Sequence, residues 1–326
     1  MLGRDHHLRY TCKHEAIYPS PCLNEEATLG DVLKDLPTKI AGISSIEVLI
    51  IDDGSTDKTI EVAKKHGVKH FVRHNGNKGL ALSFRDGLWY CLEQGADIIV
   101  NTDGDNQYPG NKIADLVKPI IDRRADMVIA DRQTNTIDHF GLSKKILQRF
   151  GTWVLNKAAG TKVPDAPSGF RAYSRDAALK LNVVTRFSYA METLIQAGQK
   201  GLTIISIPIV TNPKTRESRL FKNMFEHVFK SGTAIAKAFI MYRPYAVFFT
   251  TGGFLTAAGL VPFVRYLTLL HQHGNGRHLQ SLILGTVLLT AAFISFTLGV
   301  VAGLIHINRS LNEDILELEK RQLLKG

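Results

Sequence analysis

Two carboxylates alternate in Asp103-Gly104-Asp105-Asn106-Gln107, directly after the apolar run Ile98–Asn101. Two carboxylates and an amide oxygen at alternate positions can converge on one hard cation. Mg2+ takes oxygen ligands and is often held by few protein groups, with phosphate oxygens completing its shell. Asp103, Asp105 and Gln107 are therefore candidate ligands for Mg2+ or Mn2+. The alternative is a turn in which Asp and Asn cap a helix starting near Pro109. A second cluster, Asp52-Asp53-Gly54-Ser55-Thr56-Asp57, follows the run Glu47–Ile51. A carboxylate there can accept hydrogen bonds from a base or ribose. Equally, Ser55 or Asp57 can cap a helix beginning near Lys58, with Gly54 allowing the turn; the two readings are compatible. The third cluster, Pro21-Cys22-Leu23-Asn24-Glu25-Glu26, is weak alone, because Asn24 can simply cap a helix.

The elements around these clusters alternate. Glu47–Ile51, Ile98–Asn101, Met127–Ala130 and Thr203–Ile207 are apolar runs of strand length. Helical patterns lie between them at Glu26–Leu36, Lys58–His66, Leu80–Gln94 and Asn111–Arg123. Such alternation predicts an α/β fold around a mostly parallel sheet with helices on both faces. Ligands in such sheets bind outside the carboxyl ends of the strands, where the acidic clusters fall.

Further along, Tyr245–Val264 and Leu279–Ile305 are runs of 20 and 27 residues without Asp, Glu, Lys or Arg. A helix of about 20 apolar residues spans a bilayer, so two transmembrane helices are expected, rather than two helices buried in a soluble core. The stretch 220–243 has the pattern of an amphipathic helix lying in the membrane interface. Lys and Arg before the first span and after the second place both termini in the cytoplasm. The chain of 326 residues carries a formal charge of +10, which suggests nucleic acid, a membrane surface or an anionic substrate. Three cysteines, an odd number without metal-ligand spacing, argue against a disulfide framework or zinc module and fit a reducing compartment. Residues 1–13 are polar, with no apolar signal segment.

Five motifs occur in order: P-x-L-N-E at Pro21, I-I-D-D-G-S-T-D at Ile50, N-x-D-x-D-x-Q-Y-P at Asn101, Asp165-x-x-Ser168-Gly169-Phe170-Arg171, and Arg216-Glu217-Ser218-Arg219-Leu220. In this order the chain resembles the family 2 glycosyltransferases, and more narrowly their dolichyl-phosphate or undecaprenyl-phosphate branch. The resemblance covers roughly residues 19–220, and the paired spans extend it almost to the C-terminus. It implies a GT-A fold over about 16–219, a nucleotide-sugar donor (GDP- or UDP-linked), a polyprenyl-phosphate acceptor, and no nucleic acid. It further implies that Pro21, Leu23, Glu25 and Asp53 line the nucleoside pocket, and that Asp103, Gly104, Asp105 and Gln107 serve the donor and metal. Arg132 matches an arginine facing the acceptor phosphate, with Lys144 or Lys145 near the family's second cation for it. Arg216 and Arg219 match a basic pair near the phosphates at the membrane face. Solvated surface or lipid-headgroup contact is the alternative for each cation. A homo-oligomer is compatible with this reading.

The sequence departs from the pattern at its start. The family opens with a buried apolar strand before the proline, whereas here only Ala16, Ile17 and Tyr18 can serve. Pro19 and Pro21 both lack the ladder donor. Residues 1–15 are expected to be poorly ordered, and the strand before Pro21 short and poorly paired. That defect motivates a second reading, a catalytically impaired membrane-bound binding or scaffold protein. A third, a processive polysaccharide synthase of the same superfamily, expects Q-x-x-R-W; Gln148-Arg149-Phe150-Gly151-Thr152-Trp153 does not match it.

Overall fold

The computed structural model describes residues 14–133, 142–184, 189–213, 232–233, 236–237, 239–273 and 279–325; the side chains of 142–147 and 273 fall outside this description. The chain divides into two units, Met1–Ser231 with Glu317–Gly326, and Gly232–Leu316.

The first unit is built on a seven-stranded sheet in the order β3-β2-β1-β4-β6-β5-β7. Its strands are β1 (His14–Cys22), β2 (Ile43–Asp52), β3 (His70–Arg73), β4 (Ile98–Asn101), β5 (Met127–Asp131), β6 (Arg171–Ser174) and β7 (Ile204–Pro208). Only β6 runs antiparallel to its neighbours, β4 and β5. The helices are α1 (Leu29–Asp35), α2 (Thr59–Lys65), α3 (Leu80–Glu93), α4 (Ile113–Ile121), α5 (Leu142–Ala159), α6 (Arg175–Lys180) and α7 (Tyr189–Gln199).

Strand alternation divides the core into two layers. Even-numbered residues Ala16, Tyr18, Ile98, Val100, Val128 and Ala130 pack with Ile113, Leu116, Val117 and Ile120 of α4. Cys22 and Ile50 continue that face under α1 and α2, through Leu29 and Ala63. On the opposite face Phe84 of α3 stacks on Tyr189 of α7, with ring centroids 4.1 Å apart, and lies beside Tyr173. Helices thus cover both faces, which is why all of β4 is buried.

The structure corrects the expectation for the strand before Pro21. β1 is nine residues long and pairs with β2 along its whole length, and Ala16–Cys22 are all buried. The physical reason is parity. In a parallel strand the N–H and C=O of one residue point to the same side. Cys22 O accepts from Asp53 N beside β2, while Glu15 O accepts from Asp97 N and Pro19 O from Thr102 N beside β4. Pro19 and Pro21 therefore both turn their missing donors toward β4, whose ladder with β1 covers only Ala16 and Ile17. The β2-facing donors of Tyr18, Ser20 and Cys22 are untouched. The motive for an impaired scaffold protein disappears with this strand intact. Residues 1–13 lie outside the described residues.

Sheet and C-terminus meet within the first unit. Lys320 Nζ donates to Leu181 O at 2.9 Å and Asn182 Oδ1 at 2.6 Å, and Arg321 pairs with Asp176. Arg321 thus holds the first turn of α6, the helix that follows β6, and Lys320 the residues just past its last turn.

The second unit contains α8 (Pro244–His273) and most of α9 (Leu279–Leu323), 30 and 45 residues long. Both are long and apolar enough to cross a membrane by length and composition. Their glycines let the backbones approach, as in membrane helix pairs: a Cβ at Gly285 would lie 3.1 Å from Gly259 O, and Ser295 Oγ donates to Phe248 O at 2.8 Å. Phe254, Leu284, Phe293 and Leu304 are exposed, so two helices buried in a soluble core do not describe this pair. Arg309 reaches Tyr242 Oη at 2.7 Å and Glu313 at 2.8 Å near the end of the apolar stretch. The amphipathic stretch expected over 220–243 lies mainly outside the described residues.

Candidate active site

The order 3-2-1-4 places a topological switch between β1 and β4, and the crevice beyond their carboxyl ends is the expected ligand site. The loop after β1 is locked to the loop after β2 by reciprocal hydrogen bonds. Asn24 N donates to Ser55 Oγ at 3.0 Å and Thr56 N donates to Asn24 Oδ1 at 2.8 Å. Glu25 N donates to Thr59 Oγ1, Glu26 N to Asp57 Oδ2, and Lys58 N to Glu26 Oε2. Asn24 has φ 55°, a conformation Asn tolerates better than most side chains. Neither Asn24 nor Ser55 caps a helix, contrary to the structural alternatives above; Asp57 Oδ1 accepts from Thr59 N instead. Burial raises the Asp57 carboxyl, but the bonds from Thr59 and the Glu26 amide outweigh it and hold the group below its usual range.

Glu25 is buried, with its Oε2 3.1 Å from Thr28 Oγ1, which also lies 2.8 Å from Gly104 O. This ties the nucleoside-side loop to the acidic turn after β4. The turn requires glycine: a Cβ at Gly104 would sit 2.8 Å from Cys22 Sγ. Asp53 is also buried, and its carboxylate accepts from Lys78 N and Gly79 N, both at 2.8 Å. Asp52 Oδ1 accepts from Ser55 N.

In the acidic turn, Gln107 N donates to Asp105 Oδ1 at 3.1 Å and Asn106 has φ 60°. Asn212 pins the far side, donating from Nδ2 to Asn106 O at 3.1 Å and from its backbone N to Gln107 O at 3.0 Å. The helix start near Pro109 takes no side-chain cap from this turn; Gly110 N bonds Asp35 Oδ2. Asp103 and Asp105 are half-buried at the crevice. Among the described residues no group of three or more His, Cys, Asp or Glu could hold a metal. Two carboxylates and an amide fit Mg2+ or Mn2+ completed by phosphate oxygens and water, and do not fit a closed all-protein site.

Arg132, just past the end of β5, forms a bidentate pair with Asp165, with Nε–Oδ2 at 2.7 Å and Nη2–Oδ1 at 2.9 Å. Burial works against the guanidinium charge, but the Asp165 hydrogen bonds, with Tyr108 and Asp103 nearby, outweigh it and raise its pKa further. The 165–170 loop is set by Arg171, which is fully buried and donates to Ser168 O, Ala166 O and Thr193 Oγ1. Gly169 links the loop to the acidic turn: its N donates to Tyr108 Oη at 3.2 Å, and its O accepts from Asn101 Nδ2 at 3.0 Å. A Cβ at Gly169 would lie 2.6 Å from Tyr189 Oη and 3.6 Å from Asp103 Oδ2. Burial pushes the Tyr108 phenol up to about 12, keeping it neutral as an acceptor for Gly169.

The described structure thus brings Pro21, Leu23, Glu25, Asp53, Asp103, Gly104, Asp105, Gln107 and Arg132 to the carboxyl ends of β1, β2, β4 and β5. Arg216 and Arg219 lie outside the described residues, as do the side chains of Lys144 and Lys145. Sequence reasoning missed Asn212 and Tyr189, and it missed Asp165 as the partner of Arg132. Asp165 stood in a recognised motif, but its partner 33 residues away carried no local signal.

The model of glycosyl transferase family 2 matches residues 20–181. The chain is 35% identical over 205 residues to an uncharacterized protein of Methanocaldococcus jannaschii, covering 61% of this chain and 82% of that one. It is 28% identical over 212 residues to the UDP-N-acetylglucosamine–dolichyl-phosphate N-acetylglucosaminyltransferase of Methanococcus voltae, covering 59% of this chain and 83% of that one. It is 26% identical to a dolichyl-phosphate hexose transferase of Haloferax volcanii, over 67% of this chain and 89% of that one. The fold is similar to that of glucosyl-3-phosphoglycerate synthase from Mycobacterium tuberculosis, solved with Mn2+, UDP and glucosyl-3-phosphoglycerate, at a TM-score of 0.52 and 22% identity over 70% of this chain and 79% of that one. The interlocked loops, the two-carboxylate turn and these similarities together establish that the chain belongs to glycosyltransferase family 2 and has the GT-A-like fold expected of it.

Proposed function

We propose that the enzyme moves one sugar from a nucleotide-sugar donor to a polyprenyl phosphate, with inversion at the anomeric carbon. One observation carries the reading: the acidic turn and the Arg132–Asp165 pair lie beyond the carboxyl ends of neighbouring parts of one sheet, with Asp103 close enough to Arg132 to act on its charge, in a chain that also carries two helices long enough to span a bilayer. The relatives named as dolichyl-phosphate transferases support the acceptor class. A lipid phosphate is already anionic near neutral pH, so its oxygen attacks the anomeric carbon without a strong general base. The protein's work is positioning and charge stabilisation. Glu25 and Asp53 orient the nucleoside, and Arg132 faces the acceptor phosphate, with Lys144, Lys145, Arg216 and Arg219 adding positive charge. Asp103, Asp105 and Gln107 would hold a Mg2+ or Mn2+, which would supply charge stabilisation for the leaving diphosphate. A direct displacement inverts the configuration. Mass spectrometry of the lipid product tests the single transfer: one added sugar is expected, whereas a ladder of longer products would favour a processive synthase.

The catalytic domain (about 16–219), both termini and the 308–326 tail lie in the cytoplasm in this reading, with 220–243 in the interface and spans near 245–264 and 279–305. A cysteine placed at Gln272 should be labelled by an impermeant thiol reagent in intact cells, and one at Lys325 should not. The reverse pattern would separate the site from cytoplasmic nucleotide sugars and contradict the reading.

A further inference from the structure

His74 lies just past β3, is 2% exposed at its side chain, and has no part in the mechanism above. Its Nδ1 stands 2.8 Å from Asp53 Oδ1, and its Nε2 stands 3.2 Å from Asp86 Oδ2 on α3. Asp86 is in turn paired with Arg85, with Nη2 to Oδ1 at 2.8 Å. The backbone of His74 is anchored as well, donating to Asp52 O at 2.9 Å. A neutral imidazole offers one donor and one acceptor, while an ionised carboxylate only accepts. Both contacts are satisfied only when a proton sits between the ring and each carboxylate. The ring is therefore a two-ended clasp between the end of β2 and the second turn of α3.

The consequence falls on Asp53. An ionised carboxylate has about four acceptor positions. On Asp53, Oδ1 takes Lys78 N and His74 Nδ1, and Oδ2 takes Gly79 N. Oδ1 is filled, and the remaining position is on Oδ2. The loop that supplies the two amides folds tightly over the site: Gly54 has φ 84°, and a Cβ there would lie 2.7 Å from Gly76 Cα. Gly79, at φ 94°, then starts α3 with Asp53 at its amino end, where a negative charge is favoured.

We propose that His74 is a positioning residue that, by filling Asp53 Oδ1 and bracing it against Asp86, presents Asp53 Oδ2 to an N–H or O–H donor on the nucleoside of the sugar donor. The inference rests on the reading of Asp53 as part of the nucleoside pocket. His74→Asn keeps a donor where Nδ1 stood and loses the Asp86 contact. His74→Gln keeps a donor near Nε2 and loses the Asp53 contact.

The test is calorimetric binding of UDP and GDP with Mn2+ to the full chain in detergent, alongside steady-state transfer kinetics. His74→Gln should bind the nucleoside diphosphate about tenfold more weakly and raise the nucleotide-sugar KM by a similar factor, the scale of one lost charge-assisted hydrogen bond. Its kcat and the KM for polyprenyl phosphate should stay near those of the parent, and His74→Asn should bind within about threefold of the parent. Equal weakening in both variants would reduce His74 to a buried space-filler and overturn the proposal, as would unchanged binding in His74→Gln. If His74→Gln does not fold, nitrogen NMR of histidine-labelled parent decides. The His74 ring signals, assigned by their loss in His74→Asn, should shift on saturation with the nucleoside diphosphate, and unmoved signals would overturn the proposal. A parent that binds neither UDP nor GDP would instead remove the nucleoside pocket on which the proposal rests.

Discussion

Asp105→Ala is expected to lower sugar transfer by about three orders of magnitude, the effect of losing about 4 kcal/mol of leaving-group stabilisation. The fold should survive. Asp105 is half-buried in a turn outside the sheet, and the bond it accepts from Gln107 N contributes about 1 kcal/mol. Asp105→Asn separates the two roles, because the amide oxygen still accepts from Gln107 N but carries no charge for a cation. Both variants should therefore be inactive while their melting temperatures stay within a few degrees of the parent. Near-parental activity of Asp105→Asn, with a divalent metal still required, would place the metal elsewhere.

Arg132→Ala should damage both stability and acceptor use. Asp165 is 1% exposed and accepts both arms of the guanidinium fork. Removing one partner of a buried pair costs about 3–5 kcal/mol, because the other charge stays buried. Arg132→Lys is the more informative change. It keeps the charge but not the planar fork, so the domain should fold while KM for polyprenyl phosphate rises about tenfold, the scale of one lost charge-assisted bond. The nucleotide-sugar KM should move far less. Thermal unfolding of the two variants and paired KM measurements check this, and equal changes in both KM values would move Arg132 to the donor side.

The parts of the fold written in short-range pattern were legible in the sequence. β4 coincides with the run read as Ile98–Asn101, because a strand buried on both faces is uninterrupted apolar sequence. The acidic clusters were found because strand ends and turn chemistry lie next to each other in the chain. β1 was misread because proline was counted as a lost donor on both sides, and the side each residue faces depends on register with neighbours distant in sequence. β6 was not seen at all. It reads Arg-Ala-Tyr-Ser, and Arg171 is buried only because Ser168 O, Ala166 O and Thr193 Oγ1 converge on it. His74 gave no signal for the same reason: its carboxylate partners are 21 residues before it and 12 residues after it. The family motifs supplied Asp53 and Arg132 as site residues, but the partners that orient them, His74 and Asp165, come from tertiary packing.

The central claim is that a lipid phosphate accepts the sugar. The direct measurement incubates the purified full chain with radiolabelled GDP- and UDP-sugars and Mg2+ or Mn2+, with and without polyprenyl phosphate, and follows label into the organic phase. Label should enter the lipid for one donor, only when polyprenyl phosphate and the metal are both present. Donor turnover that leaves every lipid phosphate unlabelled, or that labels a soluble acceptor instead, would contradict the account.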